Sequence, residues 1–328
     1  MAEAIVEAGI GETRALVVGG DGTVLAACVE RDDGGWRAGD VRVARLRTIL
    51  VAGVRGIVES GGVEALLTPL PPGLTEGATV RVVVVREAIP EAGRARLAKV
   101  VVTAAPLAAG PVLRARLAAA GHVICDAGVG SDILEAAAWS ETIEAALTGF
   151  VPFPGGLLTI SPTPAMTVID VDGDLPPAAL AIAAADAAAA AIARFDLTGS
   201  IGIDFPTVAD KAVRTAIGAR LDAALPPPFE RTAVNGFGFV QIVRPRHRAS
   251  FVETLRADPV ATAALCLLRR AERDGFGAAT LVTHPEVEHW LTLRPLLVAE
   301  LARRRGGPVA LRVDAALPMS SGYAGPYP

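Results

Sequence analysis

Two aspartates are the residues most suited to chemistry in this chain. Asp170 closes the apolar run Thr167-Val168-Ile169, and Asp204 closes Ile201-Gly202-Ile203. A breaker follows each, Gly173 and Pro206, which is the pattern of a buried strand presenting a polar residue at its mouth. A carboxylate pair brought together this way either shares a proton or holds a hard divalent cation. Mg²⁺ is the natural candidate, since it takes one or two carboxylates plus water and phosphate oxygens. The alternative stays open that these are strand-end residues capping helices or pairing with nearby arginines.

Positive charge gathers in two places. Arg244-Pro245-Arg246-His247-Arg248 puts three arginines in five residues, and Arg86, Arg94, Arg96 and Lys99 cluster around a second stretch. The latter is either a solvated, charged hairpin tip or a contact for RNA. His284 and His289 stand five apart without a carboxylate or cysteine at matched spacing, and read as surface residues rather than metal ligands. Gly128-Val129-Gly130 precedes a helix, as a phosphate cradle would, but lacks the third glycine and the lysine of the stronger motifs.

The elements that must position the aspartates are a strand, an Ala-rich helix and a second strand across residues 165–204. A right-handed crossover of this kind makes the strands parallel and brings their ends to one side. Before it, residues 3–31 predict short strands around a Gly19-Gly20-Asp21-Gly22 hairpin turn. Residues 40–102 predict five short strands, the count of an OB-fold barrel. Ser131 to Leu147 predicts one helix, and Phe150 to Gly156 a linker. After Asp204, an amphipathic helix over Val208–Leu225 ends at Pro226-Pro227-Pro228. Pro259 to Asp274 predicts a helix with Cys266 packed on its apolar face. A strand at Thr280–Thr283, two helices and a last strand at Val309–Val313 follow, with a frayed tail from Ser320. The expected fold class is α/β (α+β): a small all-β OB-fold module followed by a mixed α/β domain with parallel strands.

Composition narrows the classes. With 328 residues, 52% hydrophobic and 20% charged, the chain has material for two or three cores and is neither disordered nor fibrous. A net charge of −4 means that any nucleic-acid contact must rest on local rather than global charge. Three cysteines, Cys28, Cys125 and Cys266, form neither a C-x-x-C pair nor a disulfide framework, which suits a reducing cytosol. Residues 1–11 lack the pattern of a signal peptide. Pro177 to Phe195 is mostly alanine and contains Asp186 and Arg194, so no membrane span and a soluble, cytoplasmic protein are expected.

Taken in order, these strings resemble the ribonuclease E/G family of bacterial endoribonucleases, over most of the chain. Pro154-Gly155-Gly156 through Met166-Thr167-Val168-Ile169-Asp170-Val171-Asp172 is similar to the family's "GG…xT-x-I-D-x-N" strand. Asp196-Leu197-Thr198-Gly199-Ser200-Ile201-Gly202-Ile203-Asp204-Phe205 is similar to "DLGGxIxIDF". Phe229-Glu230-Arg231-Thr232 through Gly238-Phe239-Val240-Gln241-Ile242-Val243-Arg244-Pro245-Arg246 is similar to "R-T-x…G-L-x-E-x-T-R-x-R".

The resemblance implies that Asp170 and Asp204 hold a catalytic Mg²⁺ and that Arg231 neutralises charge on a scissile phosphate. The partner is single-stranded RNA, cut to 5′-phosphate and 3′-hydroxyl ends. Arg86, Arg94, Arg96, Lys99, Arg244 and Arg246 become candidate RNA contacts. Asp172, standing for the family's asparagine, either adds a ligand or crowds the pair. The implied domains are a reduced ribonuclease-H-like segment (1–38), the OB-fold module (39–104), a reduced sensor region (105–153), a deoxyribonuclease-I-like catalytic domain (154–257) and a small C-terminal α/β domain (258–328).

Several positions depart from the family. Its zinc-binding C-P-x-C is absent where Leu255 to Ala261 runs, so neither zinc nor a zinc-linked tetramer is expected, although another oligomer remains open. Base-stacking aromatics of the OB module are Ile57 and Leu66, and the family's glutamate is Gln241. These losses keep a second reading in play, a non-catalytic RNA-binding relic. Third comes a hydrolase using the same carboxylate pair on a small phosphorylated molecule. Cys125 and Asp126 stand where an arginine and a threonine would bind a 5′-monophosphate. Substrates that differ only in a 5′-monophosphate or a 5′-hydroxyl are therefore expected to be cleaved at equal rates; a large gain with the monophosphate would contradict this.

Overall fold

The computed structural model describes residues 2–32, 34–90, 96–128 and 130–327. It is mixed α/β, and the chain divides into two compact units. One gathers Met1–Asp33, Leu117–Ile143 and Leu255–Pro328, and the other Gly34–Arg116 and Glu144–Thr254.

The chain opens with β1 (Glu3–Ala8), β2 (Glu12–Val18) and β3 (Val24–Arg31), joined as antiparallel hairpins. The second unit then takes over with β4 (Val41–Val51), β5 (Arg55–Ser60), β6 (Val63–Leu67), β7 (Thr79–Arg86) and β8 (Ala98–Val102). These five close into a barrel in the order β4-β5-β6-β8-β7. Closure needs β7 to pair with β4 and β8 to run parallel to β6. The alternating apolar residues Leu46, Val58, Leu67, Val82, Val84 and Val100 fill its interior, and Trp36 packs into the same core.

Helix α1 (Leu113–Ala119) leads back to β9 (Val123–Ala127), which lies parallel to β1 and completes the first unit's sheet, β3-β2-β1-β9. The single helix expected over Ser131–Leu147 is two, α2 (Ile133–Ala136) and α3 (Trp139–Thr148). Ala138, at φ 68, breaks them apart. Helical periodicity continues across such a break, which is why the sequence conceals it. The expected linker is also structured. Phe150–Phe153 forms β10, paired with β11 (Gly156–Pro162) through a turn at Pro154-Gly155.

Next come β12 (Thr167–Gly173), α4 (Pro177–Arg194), β13 (Gly199–Asp204), α5 (Lys211–Ala224), β14 (Glu230–Arg231) and β15 (Phe239–Arg244). With β10 and β11 they form a six-stranded sheet, β10-β11-β12-β13-β15-β14, in which only β12 and β13 pair in parallel. Helix α4 is the one described helix long and apolar enough to cross a membrane. Here Leu180, Ala184, Ala185, Ala188 and Ile192 are buried, and small alanines let α4 pack closely on the sheet and on α5.

The chain ends with α6 (Phe251–Ala257), α7 (Pro259–Arg273), β16 (Ala279–Thr283), α8 (Pro285–Thr292), α9 (Pro295–Arg305) and β17 (Val309–Val313). Prolines open α7, α8 and α9, where a missing N–H costs nothing. The Asp258 carboxylate accepts from Ala261 N–H at the start of α7, and His284 Nδ1 accepts from Glu286 N–H at the start of α8. Val309–Val313 is not the last strand. Beyond it β18 (Tyr323–Gly325) pairs antiparallel with β16, so the tail expected to fray is held by ladder hydrogen bonds.

A buried ion network holds the first unit together. Arg14, 1% exposed on β2, donates to Glu7 at 2.5 Å and to Glu12 at 2.7 Å. Arg269 of α7 donates to Glu7 at 3.0 Å and to Glu135 of α2 at 2.6 Å, and Arg273 reaches Glu135 at 3.0 Å. Removing one member of such a network strands its partners without water, at about 3–5 kcal/mol. Burial raises the pKa of Glu135, but hydrogen bonds from Ser140 and Arg269 and the charges of Arg269 and Arg273 outweigh it, leaving the carboxyl below its usual range. A depressed carboxyl stabilises the fold above its unfolded pKa near 4.5 and loses that contribution as pH falls through the folded value. Glu135→Gln is accordingly expected to lower stability at pH 7 and to converge with the parent protein in strong acid, as read by urea unfolding at several pH values.

Candidate active site

Strands β12 and β13 bring the two aspartates together. They pair in parallel register, Thr167 with Ile201, Val168 with Gly202, Ile169 with Ile203 and Asp170 with Asp204. Parallel neighbours in register share a face and lie about 4.8 Å apart. Thr167, Ile169 and Val171 alternate inward to burial, as do Ile201 and Ile203, so period-two alternation turns Asp170 and Asp204 out together. Both are exposed. Among the described residues neither carboxylate has a hydrogen-bond or ion-pair partner. Nor does either cap a helix, since Pro176 occupies the cap position of α4 and Asp210 caps α5. Asp172 lies two residues further along the same face, opposite Leu157 of β11.

Two adjacent, unpartnered carboxylates fit a Mg²⁺ site, which needs no more protein ligands than these. Among the described residues no group of three or more His, Cys, Asp or Glu side chains could hold a metal ion, so any cation here would take its other ligands from water or substrate.

Arg231 does not join them. Its register partner on β15 is Ile242, which is fully buried, so alternation sends Arg231 to the opposite face of the sheet from Asp204. There its guanidinium makes a two-pronged contact with Asp222 of α5, Nε to Oδ1 at 2.7 Å and a second nitrogen to Oδ2 at 2.5 Å. Gly218 makes room for it, because a Cβ at that position would stand 2.8 Å from the guanidinium. The hydrogen bond from Arg231 holds the Asp222 carboxyl below its usual range, and the same bond raises Arg231. Only the sheet register, invisible in the sequence, could reveal this.

The basic residues occupy another part of the second unit. On the β13–β15 ladder Asp204 pairs with Phe239, whereas Gly199 pairs with Arg244. Five residues at about 3.4 Å each separate those pairs, about 17 Å along the strand. The Arg244–Arg248 stretch instead meets the end of β7, where Glu87 N–H donates to the His247 carbonyl at 2.8 Å. Arg86 and Lys99 are register partners beside it, so both basic clusters gather there. Several of their donors have structural partners. Arg86 donates to the Leu97 carbonyl, Arg244 to the Leu197 carbonyl, and Arg246 pairs with Glu253 at 2.5 Å. Arg96 is exposed, and Arg94 lies outside the described residues.

No family model matches this chain, and no curated protein matches it. The site therefore stands on its geometry. One neighbouring residue passed over in the sequence is Phe237, whose ring is 81% exposed on the turn beside Asp204. A large apolar residue between two glycines, Gly236 and Gly238, was the available signal.

Like charges directly across a ladder repel and weaken it, while a ligand bound only to the folded state strengthens it. Mg²⁺ is expected to raise the melting temperature of the parent protein by a few degrees. Asp204→Asn should raise it in EDTA and abolish the Mg²⁺ increment. An identical Mg²⁺ response in both proteins would show that the cation binds elsewhere.

Proposed function

We propose that this protein is a Mg²⁺-dependent endoribonuclease acting on single-stranded RNA, with Asp170 and Asp204 as its metal-holding pair. The observation that carries the reading is their in-register placement, exposed and unpartnered, on adjacent parallel strands. A cation bound there would lower the pKa of a water molecule and stabilise charge on a phosphate. The residues themselves supply two fixed negative charges on rigid strands, and Asp172 adds a third on the same face. The backbone of β13, hydrogen-bonded on both sides, keeps Asp204 from relaxing away from its neighbour.

The barrel supports the reading. Its order, with the first strand paired to both the second and fourth and the third parallel to the fifth, suits an OB-fold that would bind the strand. Arg86, Arg96, Lys99 and the Arg244–Arg248 stretch would attract its phosphates. Three cysteines, none in a disulfide, favour a cytoplasmic setting. With Arg231 tied to Asp222 on the other face, transition-state charge would be countered by the cation rather than by this arginine.

The position of Arg231 also favours a second reading, an RNA-binding protein without turnover, because no arginine described here is paired with the acidic edge. Cleavage of a fluorescent single-stranded RNA separates the two. The parent protein is expected to cut it with Mg²⁺ and not in EDTA, and Asp170→Asn or Asp204→Asn to lower the rate at least 100-fold. Binding with no cleavage would select the second reading, and equal rates in parent and variants would remove the aspartates from the mechanism.

A further inference from the structure

The turn between β14 and β15 is built to hold one aromatic ring in solvent. Asn235 Oδ1 accepts from the N–H groups of Phe237 at 2.9 Å and Phe239 at 3.0 Å, and Gly238 N–H donates to the Asn235 carbonyl at 3.2 Å. The turn is then fastened to the segment after Asp204. Thr207 donates its hydroxyl to the Phe237 carbonyl and Phe205 N–H donates to the Gly238 carbonyl, both at 3.3 Å. Gly238, at φ +96, allows this approach, since a Cβ there would meet the Phe205 carbonyl oxygen at 2.2 Å.

A lone exposed apolar side chain is ordinary. What distinguishes Phe237 is the combination of 81% exposure, a backbone fixed on both sides, and position. Phe239 is the register partner of Asp204, so Phe237 stands two residues along the chain from that partner, with Asp170 one strand farther on. Phe239 itself packs over Gly202, whose absent side chain would otherwise meet its ring at 2.6 Å. Phe239 thus covers Gly202 on the aspartates' own face, and Phe237 is left in solvent at the turn beyond it.

We propose that Phe237 is a stacking platform for an unpaired base next to the phosphate that a cation at Asp170 and Asp204 would hold. This rests on the reading of that edge as an RNA-cleaving site. Stacking needs only a π-face, so it tolerates any base and excludes duplexes, whose bases are already stacked.

The test measures binding apart from cleavage. Fluorescence anisotropy of a fluorescein-labelled ten-nucleotide single-stranded RNA is followed with Ca²⁺ in place of Mg²⁺, so that the carboxylate pair is occupied while cleavage is suppressed. Phe237→Ala is expected to raise Kd roughly 5- to 150-fold, the usual worth of one base–aromatic stack. Phe237→Trp should retain affinity, and Phe276→Ala, which removes a ring 90% exposed in the other unit, should leave Kd unchanged. With an oligonucleotide of abasic residues, the parent and Phe237→Ala proteins should bind alike. Unchanged Kd for Phe237→Ala, or an equal loss on the abasic strand, overturns the stacking role alone. No RNA binding by the parent protein overturns it together with the reading of the site.

Discussion

The parallel pairing of β12 with β13 is the constraint on which the candidate site depends. A single-residue slip would turn one aspartate into the interior and leave the other alone, because side-chain direction reverses at every step. The buried neighbours Ile169, Ile201 and Ile203 prevent that slip, since each would have to exchange an apolar interior for water. Helix α4 makes the arrangement possible by returning the chain to the start of the sheet. Its alanines let it lie close enough to cover the apolar face while leaving the carboxylate face open. The acidic edge is thus a by-product of hydrophobic register, held by residues that never touch it.

Charge is handled differently elsewhere in the molecule. In the first unit, Arg14 and Arg269 are buried and matched by Glu7, Glu12 and Glu135, so that β1, β2, α2 and α7 are joined by hydrogen-bonded ion pairs. In the second unit, Arg231 and Arg246 are also matched, by Asp222 and Glu253. Against this background of satisfied charges, Asp170 and Asp204 stand out as neighbours of like sign with no described counter-ion. Like charges facing each other across one ladder repel, which is the arrangement a bound cation would relieve.

Much of the scaffold was legible residue by residue. The barrel strands, the Ala-rich crossover and the proline-started helices α7, α8 and α9 follow from alternation, periodicity and breakers, all of which act within a few residues. What escaped depended on longer reach. The break at Ala138 is a backbone choice that alanine does not advertise, and the hairpin at Phe150–Pro162 is short enough to pass for a linker. Strand β18 exists because β16 offers it an edge. Neither the exposure of Phe237 nor the half-burial of its near neighbour Phe239 is written in their shared residue type.

By itself the sequence determined that two aspartates lie on apolar strands and that a helix between them makes those strands parallel, but not that β12 runs on past Asp170 to Gly173 and leaves that aspartate in mid-strand. β-branched runs and breakers are local properties, and right-handed crossovers allow little else. Only the tertiary structure decided which charged groups share the aspartates' face. Arg231 lies near them in the chain yet faces α5, because its pairing with Ile242 sets its direction. The basic stretch at Arg244–Arg248 lies about 17 Å from Asp204 along the β13–β15 ladder, because β15 runs antiparallel to β13 and carries Arg244 to the ladder's opposite end.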